Sequence, residues 1–332
     1  LVKYWGKKTT GIQLPANPSI SLALSDLFTE TTVSLEHGNI SGNPAFNLLV
    51  DGKVKPSFES KITTFLHRIW NDFSVVREQH LYIQTINNFP HGTGIASSAA
   101  GFGALALCIC DLQEQYTGQK FPDLMQAASR IARLGSGSAC RSLYSEPAVW
   151  GSHLGVKNSS DEYAVPIHFE LAEPFKEMMD AVLIVDAGEK KVSSTEGHSL
   201  LGSNPYAETR FQVALANLTQ LLVAMEKGNV RRFISIVESE ALQLHAMMMV
   251  SNPYYILMRP NSLAVIEKIW DYREKTGTPV MFTLDAGANV HVLFPKLYSK
   301  EVVGFIEQEL VGFCQDGKYL CTTIGKGPVK LT

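Results

Sequence analysis

An irregular succession of strands and helices, without strict alternation, predicts an α+β fold rather than a doubly wound sheet. Two further observations sharpen this. A glycine-rich junction at 88–101 joins a β-rich run to an apolar, helix-like run. The texture then changes after a strand-like Ala-Val-Leu-Ile-Val at 181–185, beyond which amphipathic helical stripes dominate. That change places a domain boundary near residue 180, with units at 1–180 and 181–332. At 332 residues the chain is long enough for one large or two ordinary domains.

Residues 19–24, 31–35 and 81–86 carry strand-type composition. Between the last two, Ile62, Phe65, Leu66, Ile69, Trp70 and Phe73 recur at helical spacing and form one apolar face. The helix expected at 97–112 is apolar nearly all round, which predicts a central, buried position. Another is expected over 122–133, stopping at Leu134-Gly135. In the second half, Phe211, Leu215, Leu218, Leu222 and Met225 make one helical stripe. Phe233, Ile236, Val237, Ala241 and Leu244 make a second, and residues 263–272 a third. Short strands at 280–284 and 289–294 flank Asp285-Ala286-Gly287-Ala288. A helix near 300–311 precedes a last strand at 319–323.

Hydrophobic residues make up 45% and charged residues 18%, the composition of a folded rather than a disordered chain. The net charge of −3 gives no support to a general nucleic-acid or membrane-surface role. Basic groups nevertheless gather near Ser/Gly-rich loops: Lys3, Lys7 and Lys8, Arg133 and Arg141, and Lys190 and Lys191. That distribution suits a small polyanion. Cys108, Cys110, Cys140, Cys314 and Cys321 have no metal-type spacing and read as reduced and mostly buried, consistent with a cytoplasmic protein. The sequence holds no apolar run of spanning length and no signal peptide. It opens at Leu1, already inside an apolar segment, so further residues are expected ahead of it.

The junction Asn88-Phe89-Pro90-His91-Gly92-Thr93-Gly94-Ile95-Ala96-Ser97-Ser98 combines glycines with two hydroxyls at a helix start. Glycine lets backbone approach a ligand, and a helix N-terminus offers unpaired N–H groups, so this is a phosphate cradle. It is not the common P-loop, because no Lys-Ser or Lys-Thr pair follows. A tight turn with small residues for packing is the plainer alternative. Four more segments carry chemistry. Alternation over 3–7 puts Lys3, Trp5 and Lys7 on one face and Tyr4 on the other, the plainer alternative being an edge strand with solvated lysines. Gly135-Ser136-Gly137-Ser138-Ala139-Cys140-Arg141-Ser142 reads as a flexible loop whose hydroxyls and planar Arg fork suit a carboxylate or phosphate. Lys190-Lys191-Val192-Ser193-Ser194 repeats the basic-plus-hydroxyl theme, or is a solvated turn. Asp285, in Thr283-Leu284-Asp285-Ala286-Gly287, is either a turn former or a base that orients a hydroxyl.

Taken together, in this order along nearly the whole chain, these segments resemble the GHMP small-molecule kinase superfamily and, within it, the mevalonate diphosphate decarboxylase family. The Gly-Ile-Ala-Ser-Ser-Ala loop marks the superfamily, while Lys-Tyr-Trp-Gly-Lys, Gly-Ser-Gly-Ser-Ala-Cys-Arg-Ser and Thr-Leu-Asp-Ala-Gly mark the decarboxylase branch. The resemblance implies a two-domain fold, with a ribosomal-protein-S5-like N-terminal domain, a ferredoxin-like C-terminal sandwich and the active site in the cleft between them. It also implies ATP with Mg²⁺, a place in the mevalonate pathway of isoprenoid biosynthesis, and a homodimer. By resemblance, Asp285 orients or deprotonates the substrate's 3-hydroxyl beside Lys3, and Arg141 holds its carboxylate. Tyr4, Lys7, Ser136, Ser138 and one of Ser193 or Ser194 cradle the diphosphate. Gly94, Ala96, Ser97 and Ser98 surround the ATP phosphates, with Ser98 also the hydroxyl partner of the metal.

The sequence departs from the family at Pro90-His91-Gly92-Thr93-Gly94, where many members read Pro-Thr-Ala-Ala-Gly, and at Ser145-Glu146-Pro147, where a Gly-Gly pair is common. An Asn-Ile-Ala run usually precedes the Lys-Tyr-Trp segment. The rival readings are a kinase or decarboxylase acting on mevalonate or its 5-phosphate, and an inactive metabolite-binding relative. A Rossmann dehydrogenase fails on glycine spacing and on the missing acidic residue after a second strand.

Overall fold

A computed structural model of the chain describes residues 1–8, 13–36, 44–89, 96–188, 192 and 194–331. Three sheets organise it. Ser19–Ser21, Ala148–Trp150 and Ala164–Pro166 form a small antiparallel sheet. Thr29–Glu36 pairs antiparallel with His80–Asn87, which pairs parallel with Phe46–Val50. The third sheet is antiparallel throughout, in the order Tyr319–Thr323, Met178–Leu183, Val290–Pro295, Met281–Thr283. The α+β class expected from the irregular element order is the class observed.

Helix Ser97–Thr117 lies between strand Thr29–Glu36 and helix Leu124–Gly135, the central position its all-round apolar character requires. It runs beyond the expected end at 112 and stops where Gly118 takes a left-handed φ of 71°. Asp123 caps the next helix by accepting from the Gln126 amide at 2.9 Å. At its far end, a Cβ on Gly135 would lie 2.1 Å from the Phe102 ring, so only glycine lets the two helices close here. This contact fixes where Ser136 and the following segment leave the helix.

Three cores result. Leu48, Phe65, Leu66, Ile69, Leu81, Phe102 and Ile109 pack the first unit, each fully buried large side chain contributing roughly 1.5–3 kcal/mol. Ala181, Leu183, Phe282, Val292, Phe294 and Phe305 pack one face of the third sheet. A third core joins both halves, bringing Val2, Ile20 and Val149 against Leu218, Leu221, Phe233, Met281 and Leu293. The N-terminal segment therefore threads through shared core between the two halves, which is what carries Lys3 to Asp285.

The helical stripes of the second half become Ala207–Lys227, Val230–Met249 and Pro260–Thr276. The expected helix at 300–311 is Ser299–Phe305 followed by a π-turn, Ile306–Leu310, and a 3₁₀ turn, Val311–Phe313. Strands Phe46–Val50, Ala148–Trp150 and Ala164–Pro166 were not foreseen; two of them are only three residues long, too short for period-2 alternation to register. Among the described residues no helix is long and apolar enough to cross a membrane. All five cysteines are free, and Cys321, on an edge strand, is the exposed one.

Candidate active site

Lys3 and Asp285 meet at the junction of the two halves. Residues 3–7 do not form the expected strand: Val2 and Lys7 make isolated bridges to Ile20 and Pro15. Lys3 is directed to Asp285, Trp5 is buried among Leu201, Leu244 and Met248, and Tyr4 turns to Trp150, but Tyr4 and Trp5 share the His198 ring as a neighbour, so the expected strict alternation is not kept. Lys3 is not a solvated edge lysine; it is 7% exposed. Its amide donates to Glu240 Oε2 at 2.9 Å and its carbonyl accepts from Asn17 Nδ2 at 3.0 Å. Its ammonium lies 2.9 Å from Asp285 Oδ1.

Asp285 follows strand Met281–Thr283 and is the exposed residue in an otherwise buried run from Met281 to Ala286. Its backbone carbonyl accepts from His245 Nε2 at 3.1 Å, so the turn is held from beneath. The carboxylate side chain is 49% exposed yet has protein groups packed closely around it. Burial there pushes its pKa up, but the charges of Lys3 and His291 and the Lys3 hydrogen bond outweigh burial and hold it well below the usual carboxylate range.

Arg141 belongs to a 3₁₀ helix, Gly137–Leu143, rather than to the flexible loop expected from its Ser/Gly content. The segment is tied down where Ser129 Oγ donates to the Cys140 carbonyl at 2.9 Å. Arg141 Nε donates to Ser21 Oγ at 2.8 Å, and Nη1 donates to Ser19 Oγ. Two serines on one face of strand Ser19–Ser21 thus orient the guanidinium, and no carboxylate pairs with it among the described residues. Burial pushes its pKa down, while Asp285 is among the groups that oppose this.

Tyr4 packs against this segment at Gly137, between Ser136 and Ser138. The Tyr4 ring lies 4.6 Å from Trp150 and 4.4 Å from His198, and its buried hydroxyl has no partner among the described residues. A Cβ on Gly137 would come within 2.8 Å of that hydroxyl, so the glycine keeps the space in front of it clear. An unpaired buried hydroxyl costs stability unless something donates to or accepts from it, which marks this spot for a polar ligand. Ser136 Oγ lies 3.4 Å from Ser98 Oγ, joining the two hydroxyl-bearing segments. Ala96 adopts a left-handed φ of 53° immediately before the helix, and Ser97 and Ser98 form its first turn, which holds no acidic residue. The helix dipole there favours an anion.

Lys7 is half-buried and has no carboxylate partner among the described residues; burial and the neighbouring Arg68 both push its pKa down. Two of the basic groups noted near the Ser/Gly-rich loops are committed elsewhere. Lys8 pairs with Asp161, and Arg133 is buried with its Nε on the Glu162 carbonyl and Nη1 on that of Gln13. Gly94, Lys190, Lys191 and Ser193 lie outside the described residues. Ser194 opens helix Ser194–Leu200. Among the described residues no group of three His, Cys, Asp or Glu side chains could hold a metal. Magnesium fits here as an ion carried on nucleotide phosphates, with the exposed Ser98 hydroxyl at hand.

Ser19, Ser21, Glu240, His198 and Arg68 were not foreseen as site residues. The Ser-Ile-Ser alternation opposite an arginine and a glutamate set in an apolar helical stripe were signals for the first three. His198 and Arg68 carried none in sequence.

Comparison with known proteins finds relatives over nearly the whole chain. Residues 1–164 match the diphosphomevalonate decarboxylase-like N-terminal domain, and residues 181–330 match the mevalonate 5-diphosphate decarboxylase C-terminal domain. The Gibberella zeae diphosphomevalonate decarboxylase is 30% identical over 94% of this chain and 82% of its own length. The Saccharomyces cerevisiae enzyme is 30% identical over 92% and 78%. The mevalonate diphosphate decarboxylase structure from Staphylococcus aureus superposes with a TM-score of 0.84 at 26% identity, covering 98% of this chain and 93% of that one. A complex of MDDEF with MVAPP, AMPPCP and magnesium gives 0.83 at 27% identity, covering 98% and 94%.

Proposed function

The chain belongs to the diphosphomevalonate decarboxylase family, and on that premise we propose how its own residues divide the work. It carries out the ATP-dependent decarboxylation of mevalonate 5-diphosphate to isopentenyl diphosphate, with ADP, phosphate and CO₂. The single observation that carries the assignment of roles is the Lys3–Asp285 pair, one carboxylate oxygen on the ammonium and the side chain still half exposed, within electrostatic reach of Arg141.

Asp285 is ionised and accepts the proton of the substrate's 3-hydroxyl as that oxygen is phosphorylated. Lys3 keeps the carboxylate oriented and offsets charge. Arg141, held edge-on by Ser19 and Ser21, engages the substrate carboxylate through its planar fork. Departure of the 3-phosphate builds positive character at C3, and loss of CO₂ supplies the electron pair for the double bond. Tyr4, Ser136, Ser138 and Lys7 bind the diphosphate, joined by one of Ser193 or Ser194. Ser97 and Ser98, with Ala96 setting the backbone, bind the phosphates of ATP, which supplies the phosphoryl group with Mg²⁺ neutralising its oxygens. The work asked of the protein is positioning and electrostatic stabilisation of anions. The proposed division into an ATP-binding unit, 1–180, and a C-terminal unit, 181–332, is supported by the separate cores on either side.

The test follows CO₂ and ADP together from Mg-ATP and mevalonate 5-diphosphate, with mevalonate and its 5-phosphate as comparison substrates. Equal yields from the diphosphate are expected. ADP without CO₂ would make the protein a kinase, and CO₂ only from the monophosphate would overturn the substrate.

A further inference from the structure

Helix Ser194–Leu200 reaches the N-terminal segment through the His198 side chain. His198 lies with its ring centroid 4.4 Å from Tyr4 and 4.5 Å from Trp5, tilted by 36° and 34° respectively. Its Nδ1 accepts a hydrogen bond from the Gly6 amide at 3.0 Å. The surroundings leave the ring little choice. A Cβ on Gly197 would meet Trp5 and the Tyr255 hydroxyl at 2.7 Å, so the helix sits directly on Trp5. Gly6 has a φ of 101°, and a Cβ there would meet Phe211 at 2.8 Å, which fixes the direction of its N–H. Burial and the nearby Lys7 ammonium push the His198 pKa down to about 3, so the ring stays neutral and Nδ1 remains an acceptor at working pH.

Tyr4 thereby contacts Trp150 on one unit and His198 on the other, and its hydroxyl, without a partner among the described residues, is aimed at Gly137. We propose that His198 is a positioning residue that locks the 4–7 segment and the helix opened by Ser194 into one cradle for the substrate's diphosphate. This rests on the function given above and adds to it the residue that sets the cradle's shape. His198 itself touches no reacting atom; it acts through Tyr4, Gly6 and the helix it belongs to.

The experiment compares wild type with His198→Phe, which keeps a ring for stacking but loses the acceptor, and His198→Asn, whose Oδ1 can replace Nδ1. For His198→Phe the KM for mevalonate 5-diphosphate is expected to rise roughly tenfold or more, the consequence of a buried amide left unpaired. The KM for ATP should hold, and kcat should fall by less than about threefold. His198→Asn should recover most of the KM loss. Amide exchange at Gly6 in the wild type should slow on adding mevalonate 5-diphosphate and not on adding mevalonate, a readout that needs no variant to fold. An unchanged KM in His198→Phe, equal impairment in both variants, or no ligand response at Gly6 would overturn the proposal. Calorimetric binding of mevalonate 5-diphosphate to wild type separates the two failures. Absent binding removes the functional reading as well, whereas binding without these responses removes only the role of His198.

Discussion

Lys3 Nζ and Asp285 Oδ1 lie 2.9 Å apart although 282 positions separate them in the chain. The pair is asymmetric: 8% of the lysine side chain and 49% of the aspartate side chain are exposed. The ammonium is enclosed and spent on one oxygen, while the carboxylate still presents accessible surface. A buried cation satisfied by a partly open carboxylate is an arrangement for orienting a base, since a purely structural pair gains nothing from leaving the aspartate accessible.

Asp285→Ala is expected to lower kcat by roughly 10²–10⁴ through loss of the proton acceptor. The helix start at Ser97 and Ser98 is built without Asp285, so nucleotide affinity should change by no more than a few-fold. Coupled CO₂ and ADP release, with nucleotide titration on the same sample, checks both. Turnover near wild type would take Asp285 out of the mechanism.

Lys3→Met should move the acid limb of the pH–rate profile. Asp285 has a depressed pKa, so its ionised form, and the activity that needs it, is retained down to pH values below the ordinary carboxylate figure of about 3.9. Without Lys3 the upward push of burial is opposed chiefly by His291. The carboxyl then protonates at higher pH, and kcat/KM should fall as pH is lowered through a range where wild type stays active. An acid limb unmoved by the substitution would show that Lys3 does not tune Asp285.

Arg141→Lys should cost a large part of the activity, because an ammonium cannot hold Ser19, Ser21 and a carboxylate in one plane. Ser21→Ala should do less harm, raising the substrate KM with little change in kcat, since it loosens the fork without removing it. Steady-state kinetics on the two variants distinguish the charge from its orientation. Arg141→Lys within a few-fold of wild type would make the arginine structural.

Much of this site was legible as short motifs, because Lys3, Arg141 and Asp285 each sit in a local pattern with distinctive chemistry. What the sequence did not disclose is what holds them. Arg141 was read as part of a flexible loop, yet a 3₁₀ helix and two serines more than a hundred positions away fix it. Glu240 and His198 act through contacts of 237 and 192 positions' separation, which no periodicity encodes. In the fold, long helices with apolar stripes were visible, whereas the three-residue strands Ala148–Trp150 and Ala164–Pro166 were not, since a strand that short takes its structure from its neighbours. The departure at Ser145-Glu146-Pro147 has a local reason. It leads straight into strand Ala148–Trp150, and a Cβ on Gly327 would meet the Ser145 amide at 2.9 Å, so the C-terminal segment packs against it.

Glu240 is 0% exposed and accepts from the Lys3 amide, Arg210 Nη2 and Asn217 Nδ2 at 2.9, 2.6 and 2.7 Å. Replacing it by Ala would leave a buried, unpaired Arg210 and free the Lys3 backbone. A loss of roughly 3–5 kcal/mol is expected from denaturant unfolding, with a fall in activity in the protein that remains folded. Arg210→Met with Glu240→Leu, which removes both charges, should recover much of the stability but not the activity, because the Lys3 amide still lacks its acceptor.

His291 and Asp180 give a pH signature of stability. They occupy adjacent strands, Val290–Pro295 and Met178–Leu183, and His291 Nδ1 lies 2.8 Å from Asp180 Oδ2. Burial pushes the imidazole pKa down, but the Asp180 carboxylate, through charge and hydrogen bond, outweighs burial and holds it above the ordinary value. A pKa raised by folding contributes stability that is fully present below the unfolded-state value of about 6.5 and is lost as pH rises through the folded value. The comparison is with Asp180→Asn/His291→Gln, which keeps the shapes and removes both charges. Relative to that variant, wild type should be most favoured near pH 5.5 and less favoured near pH 8.5. Urea midpoints at the two pH values test this, provided the slopes match. A wild-type advantage that grows with pH would show that the imidazole is neutral in the folded protein and that the pair is held by its hydrogen bond alone.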